Sequence, residues 1–216
     1  MKNYSHLFFD CDGVILNSNK IKTDAFYKLA LNFGELQAQK LVNHHLANGG
    51  ISRYEKIKFF QKNILKNTNV KLYQELVDDY GKILKEKLIK AEISKGVFKI
   101  KQFFPNSKIT VVSGSDQNEL RWLFKEKRID HLFNNGIFGS PKNKIEILEE
   151  IFSGFKGEEK SIFIGDSKYD FEVSKFFKID FAFISEWSDL SDWTKFARIN
   201  KIKTFKDILS FLENHK

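Results

Sequence analysis

The sequence predicts an α/β fold: a doubly wound parallel sheet with an inserted helical cap domain. Two patterns carry that expectation. Short apolar runs at residues 7–9, 109–112, 161–164 and 181–184 end abruptly in polar or glycine-containing turns, as strands buried on both faces do. Helical spacing fills residues 116–127, 144–152, 170–177 and 205–214, and strand alternating with helix places helices on both faces of a parallel sheet.

The interval between the first two strands is different. From about Lys20 to Lys90 apolar residues recur at three- and four-residue steps, over 23–33, 52–64 and 72–89, with no convincing strand. Asn48-Gly49-Gly50 breaks the series, and Ser52 is placed to cap the next helix. That is too much helix for one crossover. The expected organisation is a core of residues 1–17 and 92–216 with a helical cap over 18–91.

Composition limits the function classes. The chain has 216 residues, 42% hydrophobic and 30% charged, enough for a buried core and far from a disordered composition. Thirty-six basic residues against 28 acidic give +8, but the lysines are scattered over helical segments with Glu interleaved, which predicts solvated faces and no nucleic-acid partner. Cys11 is the single cysteine, so no internal disulfide can form, and the five histidines show no zinc-ligand spacing. No secretory apolar region follows Met1, and no stretch approaches the ~20 apolar residues of a membrane span. A soluble, cytoplasmic protein without a membrane partner is expected.

In an open parallel sheet, ligands bind where strands end and turns begin. Those turns read Asp10-Cys11-Asp12-Gly13, Ser113-Gly114-Ser115-Asp116 and Gly165-Asp166-Ser167, followed by Asp170. A further segment, Gly139-Ser140-Pro141-Lys142-Asn143-Lys144, leads into a helix. Carboxylates crowded at one sheet edge repel unless a cation joins them, and hard oxygen donors favour Mg2+. Asp10 can then attack phosphorus, and Asp12 can protonate the leaving oxygen and later activate water. Ser113 and a lysine can hold the phosphate oxygens, which is most of what phosphoryl transfer requires.

These residues resemble the haloacid dehalogenase superfamily. Phe9-Asp10-Cys11-Asp12-Gly13-Val14 is similar to its first motif, Val111-Val112-Ser113-Gly114-Ser115 to its second, and Ile164-Gly165-Asp166-Ser167-Lys168-Tyr169-Asp170 to its fourth. The resemblance implies a phosphatase in which Asp10 is nucleophile and Asp12 general acid/base. It also implies that Asp10, Asp12, Asp166 and Asp170 form the Mg2+ site, with Ser113, Gly114 and a lysine binding phosphate. Lys144 is favoured for that lysine because helical spacing continues from it; Lys142, beside a proline, is the rival. The insert resembles the helical cap of the subgroup that includes β-phosphoglucomutase and sugar-phosphate phosphatases. There Gly50-Ile51-Ser52-Arg53 looks like the loop that presents an arginine, here Arg53, to the substrate.

Each residue also has a plainer role. Asp10 and Asp12 could simply end a strand, Ser113 and Asp166 could cap turns, and Arg53 could be a solvated first-turn arginine. Cys11 reads as a small packed residue. The motifs standing together in order favour function. A small phosphorylated metabolite, a sugar or sugar-acid phosphate, is the expected substrate. A phosphosugar mutase is the alternative, weakened because β-phosphoglucomutase has a cap histidine where this chain has Lys22. A catalytically retired binding module is the other, weakened because Asp10 and Asp166 are both present.

Overall fold

A computed structural model describes residues 4–154 and 160–215, so the opening Met1-Lys2-Asn3 lies outside the described residues. Six parallel strands form one sheet in the order β3-β2-β1-β4-β5-β6. They are β1 (His6–Phe9), β2 (Lys108–Asp116), β3 (Ile137–Ser140), β4 (Ser161–Gly165), β5 (Asp180–Ile184) and β6 (Lys203–Phe205). Alternation within each strand feeds two cores. Leu7, Phe9, Ile109, Val111, Ile162 and Ile164 face one cluster, which continues into the helical insert. Phe8, Val112 and Phe163 face the other, packed on Ile147, Leu148 and Val173. Burial on both faces is why these strands read as unbroken apolar runs.

Helices α1 (Asn19–Leu31), α2 (Glu35–Ala47), α3 (Arg53–Phe59) and α4 (Val70–Ile89) lie between β1 and β2. The chain continues from α3 directly into a π-helical turn, Phe60–Ile64. Ser52 caps α3, its hydroxyl accepting from Tyr54 N at 3.2 Å. The two chain passages joining insert to core run side by side: Leu16 bridges Ile93 antiparallel, and Asn17 N donates to Glu92 O at 2.9 Å.

The remaining helices are α5 (Ile100–Phe103), α6 (Gln117–Glu126), α7 (Lys144–Phe152), α8 (Lys168–Phe176), α9 (Trp193–Ile199) and α10 (Ile208–Glu213). Strands β3 and β6, and helices α2 and α9, carry no distinct sequence signal. The first two are edge strands of four and three residues, too short to build an alternation. Among the described residues no helix is long and apolar enough to cross a membrane.

Candidate active site

Strand order reverses at β1, which has β2 on one side and β4 on the other, so the crevice opens beyond the carboxyl ends of these strands. Asp10 leaves β1 there, its backbone N held by Ile164 O at 2.9 Å. Gly13 completes the turn at φ +77°; a Cβ at this position would lie 2.2 Å from an Asp166 carboxylate oxygen, so only glycine fits.

Three carboxylates converge. Asp10, Asp166 and Asp170 are buried and can each bring an oxygen within 4.8 Å of the others. Lys144, fully buried in the first turn of α7, reaches Asp10 Oδ1 at 2.9 Å and Asp170 Oδ1 at 2.5 Å. Lys142 is exposed and pairs with Glu150. The other oxygen of Asp170 accepts from Ser167 Oγ at 2.7 Å and Ser167 N at 3.1 Å, closing a capping box on α8. Asp166 accepts from Asn19 Nδ2 at 2.8 Å.

Burial raises the Asp10 pKa to about 7; Lys144 opposes this, while Asp170 and Asp12 add to it. Burial, then Asp10 and Asp170, push Asp166 well up. For Lys144 burial favours the neutral amine, but Asp10 and Asp170 prevail and hold it charged. Ionising all three buried acids would leave two negative charges beyond the one that Lys144 offsets; burial and this excess are why Asp10 and Asp166 hold their protons, and all the donors are oxygens. A hard divalent cation fits that deficit, with Asp10 and Asp166 as the least committed donors and Asp170 behind them.

Asp12 stands outside this cluster. Its carboxylate takes Ser18 Oγ at 2.5 Å, Ser115 Oγ at 2.8 Å and the ammonium of Lys22, which also contacts Ser115 Oγ. Burial opposes ionisation here, but the Lys22 charge and these hydrogen bonds win and lower Asp12 to about 2. Ser113 is fully buried, its Oγ accepting from Ser115 N at 3.2 Å. The sequence predicts a turn at Ser113-Gly114-Ser115-Asp116, but β2 continues through these residues; Gly114 lines the cleft, and a Cβ on it would come within 2.4 Å of Gly50 O, so the insert loop rests directly on the end of this strand.

A cleft of about 590 Å³ lies between core and insert, with Asp10, Asp12 and Asp166 on one wall and Lys22, Arg53 and Lys56 on the other. Arg53 is 7% exposed, so it is no solvated surface arginine. Both its terminal nitrogens are engaged by Glu119 of α6, Nη1 at 3.0 Å from Oε2, and its guanidinium lies 4.9 Å over the Tyr80 ring. Tyr54 Oη to Asp116 Oδ2 at 2.7 Å and Ser140 Oγ to Ser52 Oγ at 2.8 Å tie the same loop to the core.

Asn19, Lys22, His45 and Lys56 also line the cleft and were not singled out as site residues by their local sequence. A signal was available. Asn19 and Lys22 are three apart on α1 immediately after the joining passage, and Lys56 is three beyond Arg53 on α3, so each pair shares a helix face.

A doubly wound parallel sheet with buried acids at its switch point and a helical insert facing them defines a Rossmann-like α/β protein whose candidate site lies at the carboxyl ends of its strands. The chain belongs to the haloacid dehalogenase-like hydrolases, whose family model matches residues 7–184. Solved structures share the fold at low identity. A haloacid dehalogenase-like family protein of Streptococcus pneumoniae is 17% identical with TM-score 0.66 and full coverage of both chains. A predicted phosphatase of Clostridium acetobutylicum is 13% identical with TM-score 0.73, covering 98% of this chain and 97% of that one. A predicted phosphoglycolate phosphatase of Haemophilus somnus is 15% identical with TM-score 0.69 and full coverage of both. No curated protein matches the chain significantly.

Proposed function

We propose that the chain is a magnesium-dependent phosphatase that hydrolyses a small phosphorylated metabolite, a sugar or sugar-acid phosphate, through an aspartyl-phosphate on Asp10. The observation that carries this reading is the placement of Asp10, buried at the switch point 2.9 Å from the Lys144 ammonium and within reach of Asp166. The likeness in fold to two predicted phosphatases supports it. In this reading Asp10, Asp166 and Asp170 form the metal site, with Asp12 at its edge. A bound magnesium ion would supply charge neutralisation for phosphoryl oxygens. The insert serves as the cap, and a cleft of about 590 Å³ suits a small metabolite.

The residues divide the work. Asp10 attacks phosphorus in line, and Lys144 offsets the charge of both nucleophile and phosphate. Gly114 and Ser113, near the end of β2, face the phosphoryl oxygens. Asp12 is ionised in the resting protein, which suits it to take the proton from the water that hydrolyses the intermediate. To donate to the leaving oxygen it must first be protonated; a phosphate drawing Lys22 toward itself would relax the opposition to that step.

The test is phosphate release from sugar phosphates, sugar-acid phosphates, nucleotides and phosphorylated small organic acids, with magnesium and with chelator. Release only with magnesium is expected. Metal-independent release would remove the metal from the reading, and interconversion of hexose phosphates without release would replace phosphatase by mutase.

A further inference from the structure

Lys56 is a charge that the catalytic reading leaves unused. It lines the cleft from α3 yet is only 3% exposed. Its Nζ meets His45 Nδ1 at 2.8 Å, and the Phe26 ring centroid is 5.9 Å away. Among the described residues no carboxylate lies within ion-pair distance of it; Asp12 and Asp189 act on it only through space. The other two cleft cations of the insert are satisfied inside the protein, Lys22 by Asp12 and Arg53 by Glu119. His45 is itself fixed, its Nε2 3.1 Å from Thr23 Oγ1, and burial lowers its pKa to about 2, so it stays neutral and offers Lys56 a lone pair. A buried ammonium without an anion is costly. Burial first, then the Lys22 charge, lowers its pKa to about 7.

We propose that Lys56, positioned by His45, binds a second anionic group of the substrate, a carboxylate or phosphate carried beyond the ester phosphate that meets Asp10. This rests on the phosphatase reading and narrows its substrate class to dianionic-headed metabolites: phosphorylated acids or bisphosphates. It also moves that recognition from Arg53, whose fork is already filled by Glu119, to a lysine that pairs with no carboxylate among the described residues.

Matched pairs test it: phosphoglycolate against hydroxyethyl phosphate and phosphogluconate against sorbitol phosphate for a carboxylate, and glucose bisphosphate against glucose monophosphate for a second phosphate. In the wild type, kcat/KM is expected to favour the anionic member of at least one pair by about tenfold or more, mainly through KM. In Lys56→Met that ratio should collapse toward one; a ratio that survives the substitution, or no preference in any pair, overturns the proposal. The pair that shows the preference names carboxylate or phosphate. Calorimetric binding of phosphoglycolate, phosphogluconate and glucose bisphosphate to Asp10→Asn with magnesium, with and without Lys56→Met, needs no turnover. Tenfold weaker binding with Lys56→Met supports recognition even if no phosphate is ever released, in which case only the phosphatase reading fails. Equal binding, or none, overturns the proposal.

Discussion

The two walls of the cleft solve opposite electrostatic problems. The core wall holds Asp10, Asp166 and Asp170 around one lysine and is short of positive charge. The insert wall holds Lys22, Arg53 and Lys56, and pairs two of them with core acids, Asp12 and Glu119. In the proposed reading the first wall takes a cation and the second an anion, so a phosphorylated substrate arriving with a metal ion would answer both. The comparison also teaches what joins the walls. The insert is held to the core both by the apolar cluster that continues from beneath β1 into it and, at the cleft, by the charge pair and hydrogen bonds around Arg53, Tyr54 and Ser52.

The largest effect is expected on the core wall. Asp10→Asn should lower kcat by at least about a thousandfold, roughly 4 kcal/mol of barrier, while the protein stays folded. Activity within about tenfold of wild type would remove Asp10 as nucleophile. The same substitution probes the charge deficit. Asp10 is raised to about 7 against an ordinary 3.8, so between those values the folded state holds the proton more tightly. Stability of the wild type in chelator should therefore fall as pH rises from about 4 to about 7. That slope should shrink in Asp10→Asn and with magnesium, as melting curves would register.

Lys144→Met follows in size. It leaves three buried acids without their one ammonium, and a loss of about 3–5 kcal/mol is expected in denaturant unfolding without metal. Magnesium should restore part of it. A loss below about 1 kcal/mol would mean these acids are not ionised together in the folded protein.

The link between the walls comes next. Arg53→Ala and Glu119→Ala, combined in a double-mutant cycle, should show a coupling of about 1–3 kcal/mol in stability. If Arg53 instead anchors substrate, as its loop resemblance implies, Arg53→Ala should raise KM while Glu119→Ala leaves KM alone. Parallel changes in both variants would place the pair in cap closure.

The smallest effect is expected at Lys56. Its folded pKa of about 7 lies below the ordinary 10.5, so the unfolded chain binds the proton more tightly in between. The penalty is full below about pH 7 and fades as pH rises toward 10.5. Lys56→Met should therefore raise Tm by a few degrees at pH 7 and by less at pH 10. A Tm gain that grows with pH would mean the ammonium is already paired in the folded protein.

Much of the core was legible because its signals are local. A buried parallel strand is a run of apolar residues, so the places of Asp10 and Asp166 just past β1 and β4 were legible, whereas β2 runs on past its apolar residues through Ser113 to Asp116, because polar and glycine residues can extend a strand at the sheet's carboxyl edge. Lys144 needed one more step, the helical spacing that continues from it and sets it at the start of α7, and its acid partners Asp10 and Asp170 came only with the structure. Helix α2 was hidden because its apolar residues merge with those of its neighbours, and β3 and β6 because short edge strands carry no period.

The sequence by itself determined the alternation of strand and helix, the insert after β1 and the acids at the strand ends, because each follows from spacing along one segment. Tertiary structure alone decided which cations were already spent. Lys22 meets Asp12 across 10 residues and Arg53 meets Glu119 across 66, while Lys56 meets His45 and, among the described residues, no carboxylate. Charge pairing depends on distances of a few ångströms between segments that docking brings together, and no period within a single segment encodes them.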